Sequence, residues 1–128
     1  MASVTFLQLF SGFCGAISVL AYAWLSHAQH GLVSKQIMSL ETALLFAFIH
    51  LLAIFIVVLL YLQTRVKQYL LSGYLFAFGI IGFSGVIFLK TFLISGLGII
   101  TPIGGMAFAF GWLILGLASN KFKQSTQA

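Results

Sequence analysis

The chain has 128 residues, of which 62% are hydrophobic and 5% are charged, and its mean hydropathy is +1.18. About a quarter of the residues in soluble globular domains are charged, so this composition excludes a soluble fold and predicts an integral membrane protein. A membrane-spanning helix needs about 20 apolar residues, so the length accommodates four spans with short connections. We therefore expect an all-α, integral membrane four-helix bundle that forms a single transmembrane domain over residues 1–128.

Charged residues are few and mostly basic. Six lysines and arginines against the single acid Glu41 give a net charge of +5. The basic residues are spread along the chain, so we expect them to lie beside the headgroups of the lipid bilayer, and we expect no nucleic-acid partner. The lone Cys14 excludes an internal disulfide and any Cys-x-x-Cys metal or redox site.

The inventory of chemically active side chains is also small. It supplies no Ser/His/Asp set, no phosphate loop and no paired carboxylates, so hydrolysis and phosphoryl transfer lack their functional groups. His27 and His30 have the i, i+3 spacing that lets two imidazoles share a metal, but third and fourth ligands are missing. A solvated loop is the preferred interpretation, and we expect no enzymatic activity, no metal and no cofactor.

The first span is predicted at residues 4–25, and a hydrophilic loop with His27 follows it. Small residues form two stripes along this helix, so two of its sides can approach neighbouring helices. One stripe consists of Ser11, Gly15, Ser18 and Tyr22, and the other consists of Gly12, Ala16 and Ala23.

The second and third spans are predicted at residues 38–62 and 69–91, with a short basic loop between them. Ser34 is expected to cap the second helix, which then begins with an interfacial turn or two before it crosses. Glycines recur at intervals of three in the third span, at Gly79, Gly82 and Gly85. They leave one broad side of the helix without bulky side chains, and we expect another helix to pack against that side.

The fourth span, residues 102–119, follows directly on Thr101. Thr101 can cap free backbone N–H groups, and Pro102 suits the first helical position because no N–H is needed there. We therefore predict that the last helix begins at Pro102. Gly104 and Gly105 remove side chains from its first turn, so another helix can come into close backbone contact there.

Four crossings place both termini on the same side of the membrane as the loop between the second and third spans. That side carries more basic residues than the other, and the positive-inside rule then predicts that both termini are cytoplasmic. The side with the termini carries Arg65, Lys67, Lys121 and Lys123, and the opposite side carries Lys35 and Lys90.

The same arrangement of four crossings brings several polar residues to the membrane interface opposite the termini. His27 ends the first helix, Glu41 lies early in the second, Lys90 lies late in the third, and the fourth helix starts nearby. We expect these groups to be close enough to form one cluster. In it, a nearby cation or the positive end of the fourth helix would stabilise the carboxylate of Glu41. Two interpretations stay open: interfacial anchoring, which is the more common role of such charges, and proton or ligand handling.

His50 lies nine residues beyond Glu41, which is about 14 Å deeper along a helix and near the middle of the bilayer. Nine residues also correspond to about 180° of rotation, so the two side chains point to opposite sides and are no proton pair. We expect a neutral imidazole whose N–H needs a partner, such as Ser18, Ser72, Ser84 or a carbonyl freed near a glycine. Either a hydrogen bond between helices or a relay or substrate contact would explain its presence.

Several motifs occur in order along the chain: Ser26-His27-Ala28, Glu41-Thr42-Ala43 with His50, Phe83-Ser84-Gly85, Thr101-Pro102-Ile103-Gly104-Gly105 and Gly111-Trp112. Over residues 10–118 they resemble the domain-of-unknown-function 423 (DUF423) family, which includes bacterial inner-membrane proteins and eukaryotic transmembrane protein 256. The chain departs from the family pattern at Tyr22-Ala23-Trp24-Leu25-Ser26-His27, where Gly-Ala-Phe-Gly-Ala-His is usual, and at Ile49, where Tyr is common. The resemblance implies a four-helix protein of the bacterial inner membrane without an established activity.

Two functional hypotheses remain open. In the first, the protein acts by helix–helix association, as an accessory or assembly subunit of a membrane complex or as a homo-oligomer. In the second, it is a small transporter or proton-linked carrier that uses His50 at mid-membrane and the Glu41 region as an outer gate. A carrier requires a water-filled cavity that reaches His50, whereas an association protein should show a dry contact there.

Overall fold

The computed structural model describes residues 1–27, 31–93 and 96–127, with side chains described as far as Ala118. Four helices make up most of this part of the chain: α1 (Ala2–His27), α2 (Ser34–Thr64), α3 (Lys67–Phe92) and α4 (Ile100–Gln127). Each is long and apolar enough to cross a membrane. The predicted all-α, four-helix integral membrane fold is confirmed.

The two middle helices form the centre of the bundle. α1 packs mainly on α2, and α4 packs mainly on α3. In the part of the chain that the structure describes, α1 and α4 make no contact with each other, so they are edge helices. Fully buried side chains from three helices fill the centre, among them Leu7, Ile54, Val57 and Phe76. The end at which α1 finishes and α4 begins is called the His27 end below, and the opposite end is called the Arg65 end.

The start of α2 differs from the prediction that Ser34 caps it. Val33 occupies the N-cap position, and Ser34 is already helical. The backbone N–H of Val33 donates to the side-chain oxygen of Gln36 at 3.0 Å, so the capping contact comes from three residues inside the helix. At the other end Arg65 adopts a left-handed conformation (φ 59°) and its N–H donates to the carbonyl of Tyr61 at 2.8 Å. This tight turn leads directly into α3.

The prediction that Thr101 caps a helix beginning at Pro102 is wrong. The helix begins at Ile100, whose N–H donates to the carbonyl of Leu97 at 3.2 Å. The turn that precedes the helix therefore supplies its first hydrogen bond, and Thr101 lies inside the first turn. Its hydroxyl oxygen is buried and has no hydrogen-bond partner among the described residues.

α3 contains a π-helical segment that no pattern in the sequence predicts. Residues Lys67–Gly79 and Val86–Phe92 are α-helical, and Ile80–Gly85 between them is a π-helix. The widened turn is visible in the N–H of Val86, which points to the carbonyl of Ile81 five residues earlier. Glycine has a low intrinsic preference for the α-helix, so the glycines of this stretch make a local change of winding inexpensive.

The π segment places the backbone of α3 directly against the backbone of α4. A methyl group on Gly104 would overlap the carbonyl carbon of Gly82 and the nitrogen of Phe83. A methyl group on Gly82 would lie 3.3 Å from the Cα of Gly104. Gly105 differs, because a methyl group there would meet only a ring carbon of Phe83 at 3.8 Å. Gly104 and Gly82 therefore form the close helix crossing, and Gly105 and Gly85 do not contribute to it.

Two aromatic rings extend this contact toward the middle of the membrane. The ring of Phe108 on α4 covers Gly79 on α3, so that a methyl group at Gly79 would overlap it. In the reverse sense, the ring of Phe76 on α3 covers Gly111 on α4, where an added methyl group would lie 2.6 Å from it. Each helix inserts a large side chain where the other has none, which fixes the register between α3 and α4.

Candidate functional site

His50 lies at the centre of α2 with 3% of its side chain exposed. Its ring stacks on Phe108 with 3.6 Å between the centroids and 15° between the planes. The rings of Phe46 and Phe76 approach it at 5.9 and 5.3 Å. The imidazole is therefore enclosed by aromatic side chains from α2, α3 and α4.

Both ring nitrogens of His50 have partners. The indole N–H of Trp112 lies 3.1 Å from Nε2, and Nδ1 lies 2.7 Å from the carbonyl oxygen of Phe46. An indole N–H can only donate, so Nε2 is the acceptor and the proton of the neutral ring is on Nδ1, which donates to Phe46. This arrangement satisfies the imidazole inside the bilayer and joins α2 to α4.

Two of the three serines expected to serve His50, Ser72 and Ser84, have other partners. Ser72 donates to the carbonyl of Gly111 at 2.7 Å, which links α3 to α4. Ser84 donates to the carbonyl of Ala43 at 2.6 Å, which links α3 to α2. Of the expected alternatives, a backbone carbonyl satisfies the N–H of His50, that of Phe46, whereas Ser72 and Ser84 do not serve it. The sequence signal that identifies the donor is the Gly111-Trp112 motif, because tryptophan carries a donor-only N–H on an otherwise apolar ring.

Polar residues also meet at the His27 end, in a pocket of 510 Å³ between α2, α3 and α4. Two lysines and four hydroxyl side chains line it together with apolar residues. The polar members are Lys35, Ser39, Thr42, Lys90, Thr91 and Thr101, and the apolar members are Met38, Phe83 and Ile87.

The predicted interfacial cluster is only partly present. Lys90 and Thr101 lie in the pocket, whereas Glu41 and His27 are exposed and are not among its lining residues. Pro102 is exposed in the first turn of α4, next to the pocket. His30 lies outside the described residues, and the side chains that are described contain no group of three metal-ligating residues. Among the described residues, Glu41 forms no ion pair with Lys90.

A second groove, of 340 Å³, opens between α1 and α3 over the middle of α2. Its lining is almost entirely apolar or small and includes Cys14, Ser18, Ala21 and Gly85. Gly85 therefore shapes a groove wall instead of a helix crossing. His50 is not among the lining residues of this groove or of the pocket at the His27 end.

The two small-residue stripes of α1 have different environments. Ser11 faces the bundle, where its hydroxyl donates to the carbonyl of Leu51 on α2 at 3.0 Å. The other stripe, Gly12, Ala16 and Ala23, is exposed. A methyl group at Gly12 would meet nothing within 4 Å. This stripe is called the outer face of α1 below.

The family described as "Protein of unknown function (DUF423)" matches residues 23–105 of the chain. The matched stretch contains His50 and all the lining residues of the pocket at the His27 end, but it ends before Phe108 and Trp112, the partners of His50 on α4.

Relatives in three bacterial genera are similar over most of their length. A UPF0382 membrane protein of Staphylococcus epidermidis is 37% identical over 99 residues, which cover 76% of this chain and 80% of the relative. A UPF0382 membrane protein of Haemophilus influenzae is 34% identical over 121 residues, or 94% of each chain. One of Bacillus subtilis is 32% identical over 115 residues, which cover 84% of this chain and 94% of the relative. No solved structure matches the chain.

Proposed function

Because the chain belongs to the DUF423 family, we propose that this multi-pass membrane protein acts by lateral helix–helix association, without a catalytic step of its own. It serves either as an accessory or assembly subunit of a membrane complex or as a homo-oligomer. The observation that carries the proposal is the outer face of α1, where Gly12, Ala16 and Ala23 lie exposed on an edge helix.

Small residues four positions apart permit close backbone approach between membrane helices, and Gly12 and Ala16 have this spacing. Glycine within a helix costs about 1 kcal/mol relative to alanine. At Gly82 and Gly104 a contact inside the chain offsets that cost, but around Gly12 there is open space. A helix from a second protein molecule would supply the missing contact.

The surroundings of His50 favour this proposal over a carrier. Accepting a second proton would place an N–H on Nε2, directly opposite the indole N–H of Trp112, so the hydrogen bond between them would have to break. The ring is also covered by Phe108. These contacts support a structural joint between α2 and α4.

A test compares Gly12→Leu with Ala109→Leu in the full chain. Ala109 is an exposed small residue of α4, so the control adds the same bulk to a different lipid-facing surface. Copies labelled with donor and acceptor dyes are mixed in vesicles, and energy transfer is measured as lipid is added. Gly12→Leu should weaken association about tenfold, or about 1.4 kcal/mol, since a leucine keeps the partner helix from close backbone approach.

The same variants are purified at native abundance to detect a heterologous partner at fixed stoichiometry. Ala109→Leu should retain the oligomer or the partner, and Gly12→Leu should lose it. A monomer without a stoichiometric partner would contradict the proposal, and so would equal association of the two variants.

We also infer that the protein lies in the bacterial inner membrane with both termini in the cytoplasm. Support comes from the even number of long apolar helices in the described part of the chain and from Arg65 and Lys67, which lie at the same end of the bundle as Met1. Cysteines introduced at Arg65 and Lys90 should react with an impermeant reagent from opposite sides. Labelling of both from one side would contradict this topology.

A further inference from the structure

We propose that the pocket at the His27 end binds a phosphate group, carried either by an anionic phospholipid headgroup or by a free phosphate ion. The proposal does not depend on helix association, because α2, α3 and α4 supply all the lining residues and α1 supplies none.

The first observation is uncompensated positive charge. Lys35 comes from the start of α2 and Lys90 from the end of α3, and both line the same pocket. Glu41 is the only acidic side chain of the protein. Six residues separate Lys35 from Glu41, which turns the carboxylate about 120° away around the helix. No carboxylate therefore neutralises the two ammonium groups in this pocket.

The second observation is an unused hydrogen-bond donor. Ser39, Thr42 and Thr91 each donate to a carbonyl four residues earlier in their own helix, at 2.9, 2.8 and 2.9 Å. Thr101 lines the same pocket, and its hydroxyl oxygen is buried without a partner among the described residues. A buried polar group without a partner is unfavourable, and rotation of the side chain that turns the O–H into the pocket would give it a phosphate oxygen as acceptor.

The third observation is the setting of the pocket. Thr101 lies in the first turn of α4, where the helix dipole favours a negative charge. The volume of 510 Å³ falls within the range of about 300–1,000 Å³ that is typical of ligand sites. Met38, Phe83 and Ile87 provide an apolar wall beside the lysines, as a lipid with a phosphate headgroup requires.

The lipid source is tested by native mass spectrometry of the full chain in a neutral detergent, with phosphatidylglycerol or phosphatidylcholine added. The double variant Lys35→Gln/Lys90→Gln is compared with Arg65→Gln/Lys67→Gln, which removes the same charge at the opposite end. Phosphatidylglycerol should bind the unchanged protein and the control, and the pocket variant should bind about thirtyfold more weakly, since each interfacial lysine contributes roughly a factor of five.

The free-ion source is tested with inorganic phosphate in the same detergent, by the rise in melting temperature that binding to the folded state produces. A rise that the pocket variant loses, without preferential binding of phosphatidylglycerol, assigns the site to a free phosphate ion. Preferential binding of the lipid without a phosphate effect assigns it to the headgroup. If neither ligand binds, or if both double variants bind equally, the proposal is overturned.

Thr101→Val separates a ligand role from a structural role. Valine keeps the shape of threonine, and the hydroxyl has no partner to lose within the described chain. Without phosphate or anionic lipid, the variant should melt at the same temperature as the unchanged protein or higher. Binding of whichever ligand occupies the site should weaken about tenfold, because hydrogen bonds to charged groups are among the stronger ones. Unchanged binding would overturn the assignment of Thr101 to the site.

Discussion

Replacing Gly104 by alanine should destabilise the bundle, although the same change at the next residue should not. At Gly104 the added methyl group would overlap backbone atoms of Gly82 and Phe83, which cannot rotate away. At Gly105 it would lie 3.8 Å from a ring carbon of Phe83, which is an ordinary contact distance. The two positions share one helical turn and one chemical change, so they differ mainly in the proximity of α3.

The expected magnitude follows from two opposing terms. Overpacking a close contact costs about 1–3 kcal/mol, and the upper value applies where the overlapped atoms are backbone. Exchanging glycine for alanine within a helix raises the free energy of unfolding by about 1 kcal/mol. Gly104→Ala should therefore lose about 2 kcal/mol of unfolding free energy, and Gly105→Ala should gain up to about 1 kcal/mol. The difference of about 3 kcal/mol is more than a hundredfold in the unfolding equilibrium.

The assay is a titration of the purified variants from a mild detergent into dodecyl sulfate, with helix content followed by far-ultraviolet circular dichroism. The midpoint of Gly104→Ala should fall at a lower dodecyl sulfate fraction than that of the unchanged protein, and the midpoint of Gly105→Ala should not. If the two variants unfold at the same fraction, the backbone contact between α3 and α4 does not have the energetic role assigned to it.

Three further predictions use the same titration. Trp112→Phe should cost about 1 kcal/mol because it removes the N–H that fixes His50, and ¹⁵N spectra of the imidazole should show a less uniform tautomer; an unchanged spectrum would contradict the hydrogen bond. Ser84→Ala should cost about 0.6 kcal/mol, the average for interhelical hydrogen bonds in membranes, because the carbonyl of Ala43 keeps its bond within α2; no loss at all would mean that this bond contributes nothing. Glu41→Gln should change stability by less than about 0.5 kcal/mol, since Glu41 is exposed and has no ion pair among the described residues; a larger loss would reveal a carboxylate contact beyond these residues.

The sequence predicted the helices well because lipid leaves the backbone few alternatives. Spanning segments must satisfy their own N–H and C=O groups, so long apolar runs become helices. Helix starts were harder to predict, because several local contacts can satisfy the first N–H groups. At α2 the side chain of Gln36 does so where Ser34 was expected, and at α4 the carbonyl of Leu97 does so where Thr101 was expected.

The sequence indicates where His50 lies along α2, but it does not indicate which residues contact it. Counting residues along α2 places His50 at mid-membrane, but its contact with Trp112 depends on the register between α2 and α4, which are not consecutive helices. That register is set by glycine and aromatic pairs between α3 and α4, which become visible only in three dimensions. Lys90 lies at the His27 end, as expected, but its neighbour in the pocket is Lys35 and not Glu41.

The π segment also determines where α3 tolerates a change in length. A π turn holds one residue more than an α turn would need, so losing one residue within 80–85 would restore regular winding and leave both flanking stretches facing as they do now. The same deletion at Ile87 would swing Lys90 and Thr91 about 100° around the helix axis, out of their shared pocket. A single-residue deletion within 80–85 is thus expected to change only contacts of the π segment itself, whereas one two residues beyond its end should disrupt the contacts of the helix that follows.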